Sequence, residues 1–184
     1  MIFRKLAIMG TLLIEPEPIK DHRGYFTRTW CRNEFAEQGI TRPFDQSSLS
    51  HNAKRGTLRG LHFQRAPHEE AKLVSCSAGA AFDVVADLRP SSPTYGTWVG
   101  VEISASNNRR VYVPEGCAHG FQSLTDGTDM VYQISGPFHP ESAGGIRWDD
   151  PDLAVAWPVA DPILSERDAA LPRLAELVTP EEAA

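Results

Sequence analysis

The stretch AAFDVVADLR, residues 80–89, sets Phe82, Val84, Ala86 and Leu88 against Asp83, Val85, Asp87 and Arg89. A period of two is the pattern of a β-strand with one apolar face. Similar runs surround it: KLVSCSAG (72–79), TYGTWVGVEIS (94–104), RRVYVPEG (109–116) and DMVYQISG (129–136). Between them lie turn signals, RPSSPTYG (89–96), SASNN (104–108), TDGTD (125–129) and GPFHPESAGG (136–145). Short strands at this spacing predict an all-β fold, closed or built of two sheets. Helix is scarce. RNEFAEQG (32–39) predicts a short helix closed by Gly39, and LSERDAALPRLAEL (164–177) predicts another, broken by Pro172.

At 184 residues the chain is long enough for one domain with a sizeable core and short for two. A tail from about residue 176 to 184 is expected to fray. The N-terminal MIFRKLAIMGTLLIEPEP (1–18) faintly mimics a signal peptide, but Gly10, Thr11, Glu15 and Glu17 interrupt it and it reads as one or two strands. No stretch approaches the ~20 apolar residues of a membrane span. The net charge of −6, from 18 basic and 24 acidic residues, argues against a nucleic-acid surface but not against a basic pocket for a small anion. Three cysteines without a CxxC fit free thiols in a reducing cytosol, so a cytoplasmic protein is expected.

The chemistry lies in polar residues carried by apolar strands: His62, Lys72, Asp83, His119 and Tyr132. Any one of them reads as a satisfied core residue. Five in one small β-domain argue for a ligand cavity. In TLRGLHFQ (57–64), strict alternation puts Arg59 and His62 on opposite faces, whereas a bulge at Gly60 brings both to one side. PEGCAH (114–119) resembles the second half of the cupin metal signature, but the first half is broken where Gln64 replaces a histidine. Two histidines with Glu69 or Glu70 make a thin ligand set, so no metal is expected. The other reading is metal-free proton transfer. An imidazole base, a lysine ammonium for an oxyanion and a phenol acid are the tools for moving a proton on carbon next to a carbonyl.

Several motifs, in order, resemble the dTDP-4-dehydrorhamnose 3,5-epimerases: DHRGYF (21–26), GTLRGLHFQ (56–64), AKLV (71–74), FDVVADLR (82–89), SPTYGTWVGVEIS (92–104), VPEGCAHGF (113–121), IRWDDPDLAVAWP (146–158) and LSERDAALP (164–172). The resemblance implies a cupin-type double-sheet jelly roll with a few short helices, a strand-exchanged homodimer and no metal or organic cofactor. It implies His62 as the base, Asp168 as its orienting partner and Tyr132 as the acid. Lys72 would stabilise the enolate, supported by Asp83. Arg59, His119 and Arg23 would hold the diphosphate, with Arg23 and Phe26 reaching in from the neighbouring subunit. Read without the family, Asp168 is the third helical residue of a capping box begun by Ser165, and Arg167 beside it is a solvated arginine or a ligand contact.

The sequence departs from the family where the base is read. Arg28 stands in place of a glutamate, Ser48 in place of an asparagine although Gln46 is kept, and Ala143 in place of a ligand-contacting glutamate. Stacking on Phe138 is another way to hold the base. The substrate implied is a nucleotide-diphospho-4-keto-6-deoxysugar, inverted at C3 and C5. The alternatives are a 3- or 5-monoepimerase, an enzyme for a CDP- or GDP-linked sugar, a metal-dependent cupin oxygenase and a non-catalytic sugar-binding cupin.

Overall fold

The computed structural model describes residues 1–177. The expected frayed tail falls mainly on residues 178–184, outside the described residues, while Glu176 and Leu177 are helical. Two antiparallel sheets form a jelly-roll sandwich. The larger runs β1 (Ile2–Lys5), β2 (Leu12–Glu15), β10 (Arg110–Val113), β7 (Lys72–Ala78), β12 (Thr128–Ile134) and β5 (Gln46–Asn52). The smaller runs β13 (Ala143–Gly145), β6 (Leu58–Gln64), β11 (Cys117–Ser123), β8 (Ala80–Asp87) and β9 (Trp98–Ser104). A separate hairpin, β3 (Ile19–Asp21) and β4 (Gly24–Phe26), is exposed throughout. No helix among the described residues is long and apolar enough to cross a membrane.

Side-chain alternation sorts the core into three layers. Val74, Cys76, Val85, Ile103, Val111, Phe121 and Met130 meet between the sheets. Leu12, Ile14 and Leu73 face the other way and pack under Phe35 of α1 (Arg32–Ala36). Leu61, Val84 and Ala86 pack outward against Ile146, Leu153 and Leu174 of the C-terminal segment. The apolar face of residues 80–89 is therefore the outer one, covered by later chain. Its alternate face turns inward and buries Asp83 and Asp87 with Val85. Buried carboxylates need partners. Asp87 satisfies its own turn through Arg89, Ser92 and Thr94, and Asp83 belongs to the site.

The sequence elements that alternated are strands as expected, and the N-terminal stretch contributes two. The predicted C-terminal helix is two single turns, α2 (Glu166–Ala169) and α3 (Leu174–Leu177), on either side of Pro172. All three cysteines are free.

The crossing of β6 and β11 fixes the site. His62 lies opposite His119 and Arg59 opposite Phe121, so three steps on β6 span two on β11. The extra residue is a bulge at Gly60–Leu61, where the peptide is cis. It moves Arg59 and His62 onto one face, as both line one cavity. A Cβ on Gly60, whose φ is +116°, would stand 2.6 Å from Gly120 Cα and 2.7 Å from the His119 carbonyl oxygen. Gly60→Ala is thus expected to lower stability by roughly 3 kcal/mol, or roughly 6–12 °C in Tm. Thermal denaturation checks it, and an unchanged Tm would show that the crossing has slack.

Candidate active site

Between the sheets opens a cavity of about 340 Å³. The smaller sheet supplies Arg59 and His62 from β6 and His119 from β11. The larger supplies Lys72 from β7, Tyr132 from β12 and Gln46 from β5. Phe138 and Arg167 complete the wall from loop and helix.

His62 Nε2 lies 2.7 Å from Asp168 Oδ1. The same carboxylate accepts the Gly60 N–H at 3.3 Å, so it ties the imidazole to the bulge. α2 delivers it: Ser165 Oγ accepts the Asp168 N–H at 3.1 Å, half of the expected capping box, while the Asp168 side chain turns to His62. Burial pushes the Asp168 carboxyl up, but hydrogen bonds and charge from His62, the Gly60 N–H and Arg167 outweigh it and hold the group below its ordinary value. His62, about 38% exposed, presents its ring to the cavity.

Behind it, His119 Nε2 lies 2.8 Å from Asp83 Oδ2, both nearly inaccessible. The His119 ring stands edge-on to Tyr132, 6.0 Å between centroids. Burial, reinforced by the Asp83 charge, pushes the Tyr132 hydroxyl well above its ordinary value against the opposing pull of Arg59 and Ser50. The phenol stays protonated across neutral pH, as a proton donor requires.

The expected pairing of Asp83 with Lys72 is corrected. Asp83 is taken by His119, and Lys72 Nζ instead lies 3.0 Å from Glu70 Oε1 and 3.5 Å from the His62 carbonyl oxygen. Residues 70 and 72 share one side of an extended chain, so the E-x-K spacing held this signal. Arg59 is braced by Asn52 Oδ1 at 2.9 Å and the His51 carbonyl at 3.4 Å, contacts from a polar strand that sequence patterning missed.

Arg23, Phe26, Arg28 and Ser48, all expected site residues, do not line the cavity of their own chain. Arg23 pairs with Asp21 on the exposed hairpin, Phe26 is 74% exposed, and Arg28 donates to Glu34 at 2.8 Å. Ser48 is exposed on edge strand β5, on the same face as Gln46 and Ser50 of the cavity wall. Ala143 lines the wall. As for metal ligands, the one grouping found among the described residues is His68, His139 and Glu141. Its imidazoles are stacked at 3.6 Å and 14°, so their in-plane lone pairs run side by side and do not converge.

The dyad has a pH signature. A carboxyl depressed on folding contributes stability above its unfolded value of 3.8, and that contribution is lost as pH falls through the lower folded value. Wild type should exceed Asp168→Asn in urea stability at pH 7, with the gap closing at more acid pH. A gap independent of pH would mean that the carboxylate charge contributes nothing.

The model of the family described as dTDP-4-dehydrorhamnose 3,5-epimerase matches residues 5–176. A dTDP-4-dehydrorhamnose 3,5-epimerase of Sinorhizobium fredii is 43% identical over 96% of this chain and 91% of its own. A dTDP-4-dehydrorhamnose 3-epimerase of Streptomyces niveus is also 43% identical, over 96% of this chain and 85% of its own. The solved structure of a dTDP-6-deoxy-D-glucose-3,5-epimerase from Legionella pneumophila, in complex with dTDP-4-keto-L-rhamnose, superposes with a TM-score of 0.90 at 39% identity, covering 98% of this chain and 96% of that one. Fold, motifs and relatives agree: this chain belongs to the dTDP-4-dehydrorhamnose 3,5-epimerase family.

Proposed function

We propose that this chain, acting as one domain, inverts C3 and C5 of a dTDP-linked 4-keto-6-deoxyhexose through successive enolates. The observation that carries the reading is the placement of His62 and Tyr132 on opposite sheets of one cavity, with Lys72 on its wall. The C4 ketone acidifies the protons on both flanking carbons. His62, oriented by Asp168, removes one, and the enolate oxygen takes a hydrogen bond from the Lys72 ammonium. Tyr132 then protonates the carbon from the other face, which is what inversion requires. Asp83 acts through His119, which with Arg59 and Arg167 faces the diphosphate. None of these steps calls for a metal or an organic cofactor.

Single epimerisation is a second reading, favoured by the equally similar 3-epimerase of Streptomyces niveus. It keeps the same residues and loses one of the two inversions. Phe138 follows Pro137, whose carbonyl is bonded by Gln64, and precedes His139, whose N–H is bonded by Gln64. It thus lies at the Lys72 end of the cavity, near Gln46, whose side-chain amide donates to the Gly136 carbonyl.

Residues outside the cavity are supplied by a second copy. The β3–β4 hairpin exposes Ile19, Tyr25 and Phe26, and β5 is an edge strand with Leu49 60% exposed. Unpaired edges and apolar hairpins of this kind are what strand exchange covers. In such a homodimer Arg23 and Phe26 enter the partner's cavity, and Arg28 approaches with its guanidinium already engaged by Glu34.

Two experiments test this. With a dTDP-4-keto-6-deoxyhexose in D2O, His62→Asn should lose about 10²–10⁴-fold in exchange while still binding dTDP. Tyr132→Phe should wash deuterium in without completing inversion. Near-normal exchange in His62→Asn removes the base assignment. For the dimer, mixing His62→Asn chains with Arg23→Ala chains should restore one intact site per mixed dimer. No recovery in a sample shown to contain mixed dimers would place Arg23 in its own chain's site or in none.

A further inference from the structure

We infer that Glu70 is a positioning and charge-selecting residue of the cavity: it aims the Lys72 ammonium at a neutral carbonyl and keeps phosphate groups away from it. The inference rests on the proposed function in placing the ketone beside Lys72.

The Glu70 side chain, about 11% exposed, lines the cavity and meets two donors at once. Oε1 accepts from Lys72 Nζ at 3.0 Å and Oε2 accepts from Gln64 Nε2 at 3.0 Å. The Gln64 amide cannot turn over to relieve it. Its Oε1 already accepts the His139 N–H at 2.6 Å, and its Nε2 also meets the His68 carbonyl at 3.0 Å. An ionised carboxylate is the side chain with two acceptor oxygens and no donor. With Glu70 and the His62 carbonyl taking two of its three N–H groups, Lys72 has one left for the cavity.

The charge layout gives this pairing a purpose. Arg59 is the second residue of β6 and Gln64 its last, so the two stand roughly 15 Å apart along the strand. Arg59 and Arg167 form the cationic end; Arg167 adjoins Asp168, which is bonded to Gly60. At the other end the lysine charge is matched by a carboxylate. Of the other titratable groups on the wall, His62 and Tyr132 stand on facing sheets, and His119, opposite His62 on β11, has its Nε2 on Asp83. A diphosphate is drawn to the unmatched arginines and repelled by Glu70, and the substrate enters in one orientation. A lysine without Glu70 would be a second phosphate site and would compete with the productive pose.

The test uses Glu70→Ala and Glu70→Gln in the full chain. Alanine leaves Gln64 its backbone acceptors and Lys72 its carbonyl, so folding should persist, and melting temperature checks it in both. Turnover should fall about tenfold or more while KM for the nucleotide sugar does not rise. Calorimetric titration should show inorganic pyrophosphate binding several-fold to about tenfold tighter than to wild type. Stronger binding of an anion is not what a loosened loop produces. The inference is overturned if turnover is unchanged, or if pyrophosphate affinity is unchanged or weaker in both variants. If wild type neither exchanges nor epimerises the sugar, the proposed function fails instead, and the pyrophosphate titration still decides whether Glu70 selects charge.

Discussion

Where β6 crosses β11, Gly60 and Gly120 meet backbone to backbone, with no room for a side chain on either. That contact sets the placement of Arg59 and His62. It creates the bulge that turns Arg59 and His62 to the same side, and it exposes the Gly60 N–H to Asp168. One carboxylate therefore reads both the backbone distortion and the imidazole. Arg59 and His62 are thus joined through four consecutive residues of one strand.

A second constraint is the inversion of the usual strand pattern. In most two-layer β-proteins the apolar faces point at each other and the polar faces at water. Here β8 turns its apolar face outward beneath the C-terminal segment and its aspartates inward. The interior is consequently half core and half polar cavity. Its carboxylates are kept in local pairs, Asp168 with His62, Asp83 with His119 and Glu70 with Lys72, while Arg59 and Arg167 on the wall have no carboxylate partner among the described residues. Buried ion pairs add little stability in themselves, since desolvation offsets their attraction. Their value here is that each fixes the direction of one donor.

The strands richest in Val, Ile and Phe were legible because alternation survives burial on both faces, whereas the glycine between Arg59 and His62 left strict alternation and a bulge equally open until the register was known. β5 was not: QSSLSHN is an edge strand, and polar edge strands lack the apolar period that marks inner ones. The hairpin at 19–26 escaped patterning because all six of its strand residues are exposed on their own chain, so no face carries an apolar period. In the site, His62, Tyr132, Lys72 and His119 stood out as polar residues in apolar runs. Asp168 was ambiguous because its local sequence is that of a helix cap, and only a contact 106 residues away resolves it. The partner of Lys72 was misassigned to Asp83, which the family resemblance supplied, although Glu70 stands only two residues from Lys72 and meets it at 3.0 Å.

The central claim is that two sheets hold a base and an acid on opposite faces of one ketosugar. Its most direct test is the position of label in the product made by wild-type protein in D2O. NMR of the sugar should show deuterium at both C3 and C5, with inverted configuration at each labelled carbon. Inverted product that keeps its original protons, or a sugar returned unlabelled and unchanged, would contradict the account.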